Sequence, residues 1–185
     1  VGSRDLINVR ASMDLPLGDT SGLMLSAAYR DQDGWGKRAD GVIFDTNESR
    51  SGRLKYKWEP GENFALTVAA DVSKLTGTSQ HTILTGFNQR PGPTGLSPLA
   101  VPLPDMSAFV NTGDPYRNQT NIDPDKDYDV RGAALILDWN VGFGSLKSIT
   151  SYRELDQFIT VDYDSSAFAF YQGALDTQQE QISQE

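Results

Sequence analysis

From Arg50 to Val72 the chain alternates between apolar and polar residues on both sides of a Pro-Gly-Glu-Asn turn at Pro60–Asn63. In the first arm Gly52, Leu54, Tyr56 and Trp58 face one way, and Arg53, Lys55, Lys57 and Glu59 face the other. In the second arm Phe64, Leu66, Val68, Ala70 and Val72 form the apolar side, opposite Thr67, Asp71 and Ser73. A period of two places successive side chains on opposite faces of a sheet, so the segment is predicted to be an antiparallel hairpin with one oily and one wet face. Each arm runs to roughly ten residues, about twice the ordinary strand length and close to what a tilted strand needs to cross a bilayer.

The pattern recurs along the chain. Asp5 to Leu17 alternates with Ile7, Val9, Ala11, Met13 and Leu15 on one face, and Gly22 to Gln32 follows after a turn at Pro16–Gly22. A polar connection, Asp33 to Asn47, leads into the hairpin. From Thr76 to Lys126 the period disappears; this segment holds seven of the nine prolines and five glycines, and reads as a long loop with a helical turn near Met106 to Val110. Alternation resumes at about Asp127 with Leu135, Leu137, Trp139 and Val141 on one face, then turns at Gly142–Gly144 into a strand from Ser145 to Phe158. The phase of that strand is left open, since Leu146 and Tyr152 compete with Ile149 and Leu155. A second loop is expected at about 159–176, and a last strand from about Thr177.

Connections therefore alternate between short and long. In a meander the short turns share one end and the long loops the other, as in membrane barrels. Aromatics agree: Tyr56, Trp58, Phe64, Trp139 and Phe143 gather beside the short turns, as an interfacial girdle would. The oily positions carry no charge, whereas Arg10, Arg30, Arg53, Lys55, Lys57, Asp71 and Asp138 lie opposite, where a watery lumen would suit them.

Bulk properties set limits. The 185 residues suffice for one domain with its own core. A formal charge of -9 argues against nucleic acid as a partner. With no cysteine there is neither a disulfide framework nor a thiolate metal site. Mean hydropathy is -0.44 and no run of about 18 apolar residues offers a spanning helix; a barrel needs only alternate residues facing lipid. No signal-peptide pattern opens the chain at Val1, so it is expected to be an internal portion of a longer polypeptide.

The strings L-I-N-V-R-A-S-M-D-L-P-L-G-D, A-A-Y-R-D-Q-D-G-W-G, S-G-R-L-K-Y-K-W-E-P, F-A-L-T-V-A-A-D-V-S and L-D-W-N-V-G-F-G-S-L-K-S-I-T-S-Y-R, in that order and spacing, resemble the barrel domain of TonB-dependent outer-membrane receptors. The resemblance implies an all-β, antiparallel up-and-down meander that is one segment of a large transmembrane β-barrel, with short periplasmic turns and long extracellular loops. Residues 1–185 would be a partial barrel domain of about six strands and the start of a seventh, with long loops at about 76–126 and 159–176. The family's plug, its TonB-contacting box and its final strand are not in this sequence. The resemblance further implies the outer membrane of a Gram-negative bacterium as location, and as partners its lipid, the plug domain of the same protein, TonB and a small nutrient such as a ferric siderophore or vitamin-like molecule. It implies no cofactor.

No enzyme constellation stands out. The single histidine, His81, lies in the long loop without a nucleophile elbow and reads as a surface residue. Asp123, Asp125, Asp127 and Asp129 alternate in D-P-D-K-D-Y-D and offer a weak calcium candidate, but the EF-hand glycine and glutamate are missing, so a solvated acidic loop end is favoured. Gly34-Trp35-Gly36 reads as a flexible loop tip rather than a nucleotide loop. Asp162 and Asp164 could in principle form a carboxylate pair. Trp35, Phe87, Arg90, Tyr116 and Arg117 are the candidate ligand contacts at the outer mouth, where aromatic faces and guanidinium groups suit an anionic or ring-bearing ligand. Two rival readings remain: a passive outer-membrane porin, which would share the strands, and a soluble β-sandwich such as a carbohydrate-binding module, which would cover the oily face with a second sheet.

Overall fold

The computed structural model describes residues 2–86 and 107–185. Among the described residues ten strands follow in chain order: β1 (Ile7–Pro16), β2 (Ser21–Gln32), β3 (Gly36–Arg38), β4 (Ile43–Phe44), β5 (Asn47–Gly61), β6 (Phe64–Gly77), β7 (Arg117–Asn118), β8 (Lys126–Asn140), β9 (Ser145–Asp162) and β10 (Gln172–Gln184). Seven of them form one antiparallel sheet in the order β1-β2-β5-β6-β8-β9-β10, each beside its neighbour in the chain. The sheet is open, with β1 and β10 at its edges. A small second sheet, β4-β3-β7, assembles from the long connections, and there β3 and β7 run parallel.

The register carries the alternation across all strands. One row reads Met13, Leu25, Leu54, Ala70, Ala133 and Tyr152, and the next Leu15, Leu23, Tyr56, Val68, Leu135 and Thr150. Because the side-chain period is two, a one-residue slip in any pairing would move a whole strand's apolar set to the wet side. The same pairing settles the phase of β9. Trp139 opposes Leu146 and Ala133 opposes Tyr152, whereas Ile149 opposes Ile136 on the other face. Leu146 and Tyr152 therefore share the oily side.

That oily side is uncovered: Val72 is 57% exposed and Leu135 45%. The buried hydrophobic residues among those described are only Phe44 and Ala69. A sheet this wide with so little internal core is a wall and not a closed globule.

The turns at one end are short. Residues 17–20 join β1 to β2, Glu62–Asn63 joins β5 to β6, and residues 141–144 join β8 to β9. Pro60, which has no N–H to give a ladder, falls within a register shift between Trp58 and Gly61, so β5 runs past it and the turn is tighter than the Pro-Gly-Glu-Asn string suggests. Residues 33–46, 78–86, 107–125 and 163–171 lie at the other end. The last of these is narrower than the expected 159–176, because β9 continues to Asp162 and β10 resumes at Gln172, five residues before Thr177. The helical turn expected near Met106 to Val110 is a 3-10 turn at Ser107–Phe109.

Candidate functional site at the long-loop end

The connection after β2 folds back instead of trailing. Gly34 and Gly36 are the reason. A Cβ on Gly34 would lie 1.8 Å from the Phe44 carbonyl oxygen, and one on Gly36 would lie 2.0 Å from His81 Nδ1. Only glycine lets backbone and imidazole approach so closely, so Gly34-Trp35-Gly36 is a packed crossing and not the flexible tip its composition suggested. Trp35, between the two glycines, meets the His81 ring edge-on at 4.5 Å and the Tyr116 ring at 5.9 Å.

His81 is the hub of this cluster, and it is buried, 5% exposed, rather than on the surface. Its Nε2 lies 2.9 Å from the Pro115 carbonyl oxygen, which can only accept, so Nε2 carries the proton and donates. Nδ1 then accepts from the Asn118 side-chain amide at 3.1 Å. The His81 backbone N–H donates to Asp45 Oδ2 at 3.0 Å, and Asp45 itself takes a left-handed backbone (φ 63°), which Asp tolerates better than most residues. The Asn118 Oδ1 has no partner among the described residues.

A second anchor is Arg38, whose side chain is only 15% exposed. Its guanidinium donates to both oxygens of Asp40 (3.0 and 2.9 Å from Nε), to Asp123 Oδ1 at 2.7 Å and to the Ile122 carbonyl at 2.8 Å. It thereby ties β3 to the segment entering β8. The fork of donors facing carboxylates raises the Arg38 pKa above its ordinary value, the Asp40 hydrogen bonds contributing most, and holds the Asp40 carboxyl below the usual range.

The alternating aspartates do not converge on a cation. Asp123 is taken by Arg38, while Asp127 and Asp129 pair with Lys74 at 3.2 and 2.8 Å on the oily side's upper rim. The Asp125 backbone N–H donates to the Thr160 hydroxyl at 2.7 Å. Among the described residues no group of three or more acidic, histidine or cysteine side chains is arranged to hold a metal. Asp127 and Asp129 lie on β8, where alternate residues share a face but stand roughly 7 Å apart, too far for one ion's oxygen shell, and Asp123 and Asp125 precede the strand.

Asp162 and Asp164 are likewise occupied. Asp162 accepts from the Thr120 hydroxyl and from the N–H groups of Asp164 and Ser165 (3.1 and 2.9 Å), and Asp164 accepts from the N–H groups of Ser166 and Tyr171 (3.0 and 2.7 Å). They build the turn of residues 163–171. That turn presents Tyr163 stacked on Tyr171 at 4.7 Å, with Phe168 and Phe170 6.5 Å apart. Sequence reasoning missed this platform, although D-x-D before a run of small and aromatic residues was its signal.

Of the candidate ligand contacts, Trp35 and Tyr116 are brought together, and both remain partly open (41% and 58% exposed). Arg117 lies beside them on β7, with its side chain exposed and 3.8 Å from Asp114. Phe87 and Arg90 lie outside the described residues.

No family model matches the chain, and no curated protein matches it. Among solved structures, the chain is similar to the ferric-catecholate import receptor Fiu from E. coli K12, open form, with a TM-score of 0.62 and 15% identity. The likeness covers 98% of this chain and 28% of the receptor. The chain thus spans little more than a quarter of that protein's length, and the likeness is one of fold: an antiparallel stretch of barrel wall.

Proposed function

We propose that this chain forms part of the wall and outer mouth of an outer-membrane barrel that takes up a scarce nutrient, in a transporter coupled to TonB. The observation that carries the reading is the uncovered, charge-free band on one side of a single sheet whose long loops all leave at the opposite end from its short turns. Such a band suits hydrocarbon, because an Arg or Lys at its middle would cost about 2–4 kcal/mol in lipid. It does not suit a β-sandwich, since nothing among the described residues covers it.

In this reading the short turns lie in the periplasm and the loop cluster outside the cell. Trp35, Tyr116 and Arg117, together with the Tyr163–Tyr171 stack, contact the incoming ligand; Phe87 and Arg90 belong to the same long loop and are assigned with them. The neighbour's ferric-catecholate cargo makes a ferric siderophore the first ligand to try, with a vitamin-like molecule second. The plug of the same protein and TonB act through segments beyond this chain. The work is done by conformational change and not by bond chemistry.

The test uses cells carrying the full-length protein, fed a labelled ferric catecholate. Uptake that stops when a protonophore collapses the proton gradient is the expected result. Uptake indifferent to the protonophore would favour a passive porin. Purification of the full-length protein as a water-soluble monomer without detergent would overturn the membrane reading altogether.

A further inference from the structure

On the wet face of β1, β2 and β5 cations gather away from the strand carboxylates, Asp14 and Glu59 lying further toward the short turns. Arg10, Ala28, Ser51 and Ser73 form one cross-strand row, Arg53 stands two residues along β5 from Ser51, and Arg30 two residues along β2 from Ala28. With about 4.8 Å between strands and about 7 Å between same-face neighbours, three long guanidinium side chains surround Ser51. The carboxylate directly opposite Arg53 is Asp71, but it is claimed from the other side: Arg153 reaches it at 3.3 Å across Gly132, which has no side chain to block the path. Arg30 donates to the neutral Gln32 side chain at 2.7 Å. Among the described residues no carboxylate pairs with Arg10, Arg30 or Arg53. The small side chains between them leave an open recess of about 890 Å³ lined by Ser26, Ser49 and Ser51 hydroxyls, a size typical of small-molecule sites.

We infer that Arg10, Arg30 and Arg53, with these serine hydroxyls, form an oxyanion-binding recess on the inner wall that holds the carboxylate or phosphate group of a small solute. The inference rests on the barrel reading, which makes this face the lumen. Forked donors beside hydroxyls match the planar or tetrahedral oxygens of such groups. A recess between side chains, and not a flat wall, favours a small solute over a docked protein surface. The formal charge of -9 for the whole chain conceals it, because the one acid in the lining, Asp71, is paired with Arg153 and the others lie elsewhere.

The test uses full-length protein in lipid vesicles, with Ser51→Cys as reporter. Its rate of reaction is compared for a sulfonate-bearing and a trimethylammonium-bearing methanethiosulfonate. The anionic reagent is expected to react roughly tenfold faster at low salt, with the advantage lost in R10Q/R30Q/R53Q and retained when the same three become Lys. Inorganic phosphate or citrate should protect the thiol more than chloride at matched ionic strength. Protection equal to chloride's would mean screening without a site and would overturn the inference, as would equal rates for the two reagents. Reaction with neither reagent would mean that the plug covers the wall, and would overturn it too. Val68→Cys, on the oily side, separates the two readings: if water-soluble reagents modify it readily, the barrel reading itself has failed.

Discussion

Placing an arginine at Val68, Val72 or Thr67 in turn tests the solvent on each side of the sheet. On β6 the oily set runs from Phe64 to Val72, and Val68 stands at its centre. Eight steps of about 3.4 Å give roughly 27 Å along the strand, and a tilt near 40° reduces that to a height of about 21 Å, close to the roughly 25 Å apolar band of a membrane barrel. Val68→Arg therefore puts a guanidinium near the midplane, at a cost of about 2–4 kcal/mol, which lowers the folded-to-unfolded ratio roughly 30- to 700-fold. Val72→Arg sits beside Lys74, at the band's edge, where the same change costs about 0–1 kcal/mol. Thr67→Arg points to the wet face, next to Lys57 in register, and should cost under about 1 kcal/mol. The assay is equilibrium unfolding of the full-length protein in lipid vesicles with chemical denaturant. Equal costs at Val68 and Val72, or at Val68 and Thr67, would refute the claim that this face meets hydrocarbon in a depth-dependent way.

Three further outcomes follow from the loop cluster. Gly36→Ala would drive a methyl into His81, so amide exchange should rise in residues 36–46 and 115–120 while the seven-stranded sheet stays protected. His81→Phe keeps ring packing against Trp35 but removes the bonds to Pro115 and Asn118; leaving those groups unpaired should cost about 1–3 kcal/mol, read as local opening by hydrogen exchange. The Arg38–Asp40 pair gives a pH signature. Asp40 has its folded pKa lowered, first by the Arg38 hydrogen bond, so its contribution is fully present above the unfolded value near about 3.9 and is lost as pH falls through the lower folded value. Protection of residues 38–42 should hold from pH 8 to 5 and weaken only below about pH 4; loss between pH 7 and 5 would contradict the assignment.

The wall was legible in the sequence because its physics is local and periodic. Leu54, Tyr56 and Trp58 declare their face within five residues, and hairpin connections then leave little choice of partner. The phase of β9 was not legible: its outer side carries Ser148 and Thr150 between Leu146 and Tyr152, so the apolar signal is diluted and only pairing with β8 resolves it. The loop cluster was hidden for a different reason. His81, Gly36, Pro115 and Asn118 lie as much as 82 residues apart, and no period links them. A lone histidine in a proline-rich segment carries no local sign of burial. The glycines around Trp35 gave a real signal with two meanings, freedom or close approach, and only the position of Phe44 and His81 decides between them.

Charge shows most clearly what periodicity adds to composition. Arg10, Arg30, Arg53, Lys55, Lys57, Lys147 and Arg153 all fall on the wet face, where Asp14, Glu59, Asp71 and Asp138 are among the strand acids opposing them. On the oily side, beyond the apolar band and toward the loops, Glu48, Asp127, Asp129, Glu154, Asp156 and Glu180 outnumber Arg50, Lys74 and Arg131. A chain with formal charge -9 thus has a basic inner wall and an acidic outer rim. Shifting one strand by a single residue would exchange those signs and bring arginine into the apolar band at the same time. Register is therefore held by two penalties acting together, and the inner wall's positive field follows from the same alternation that keeps charge out of lipid.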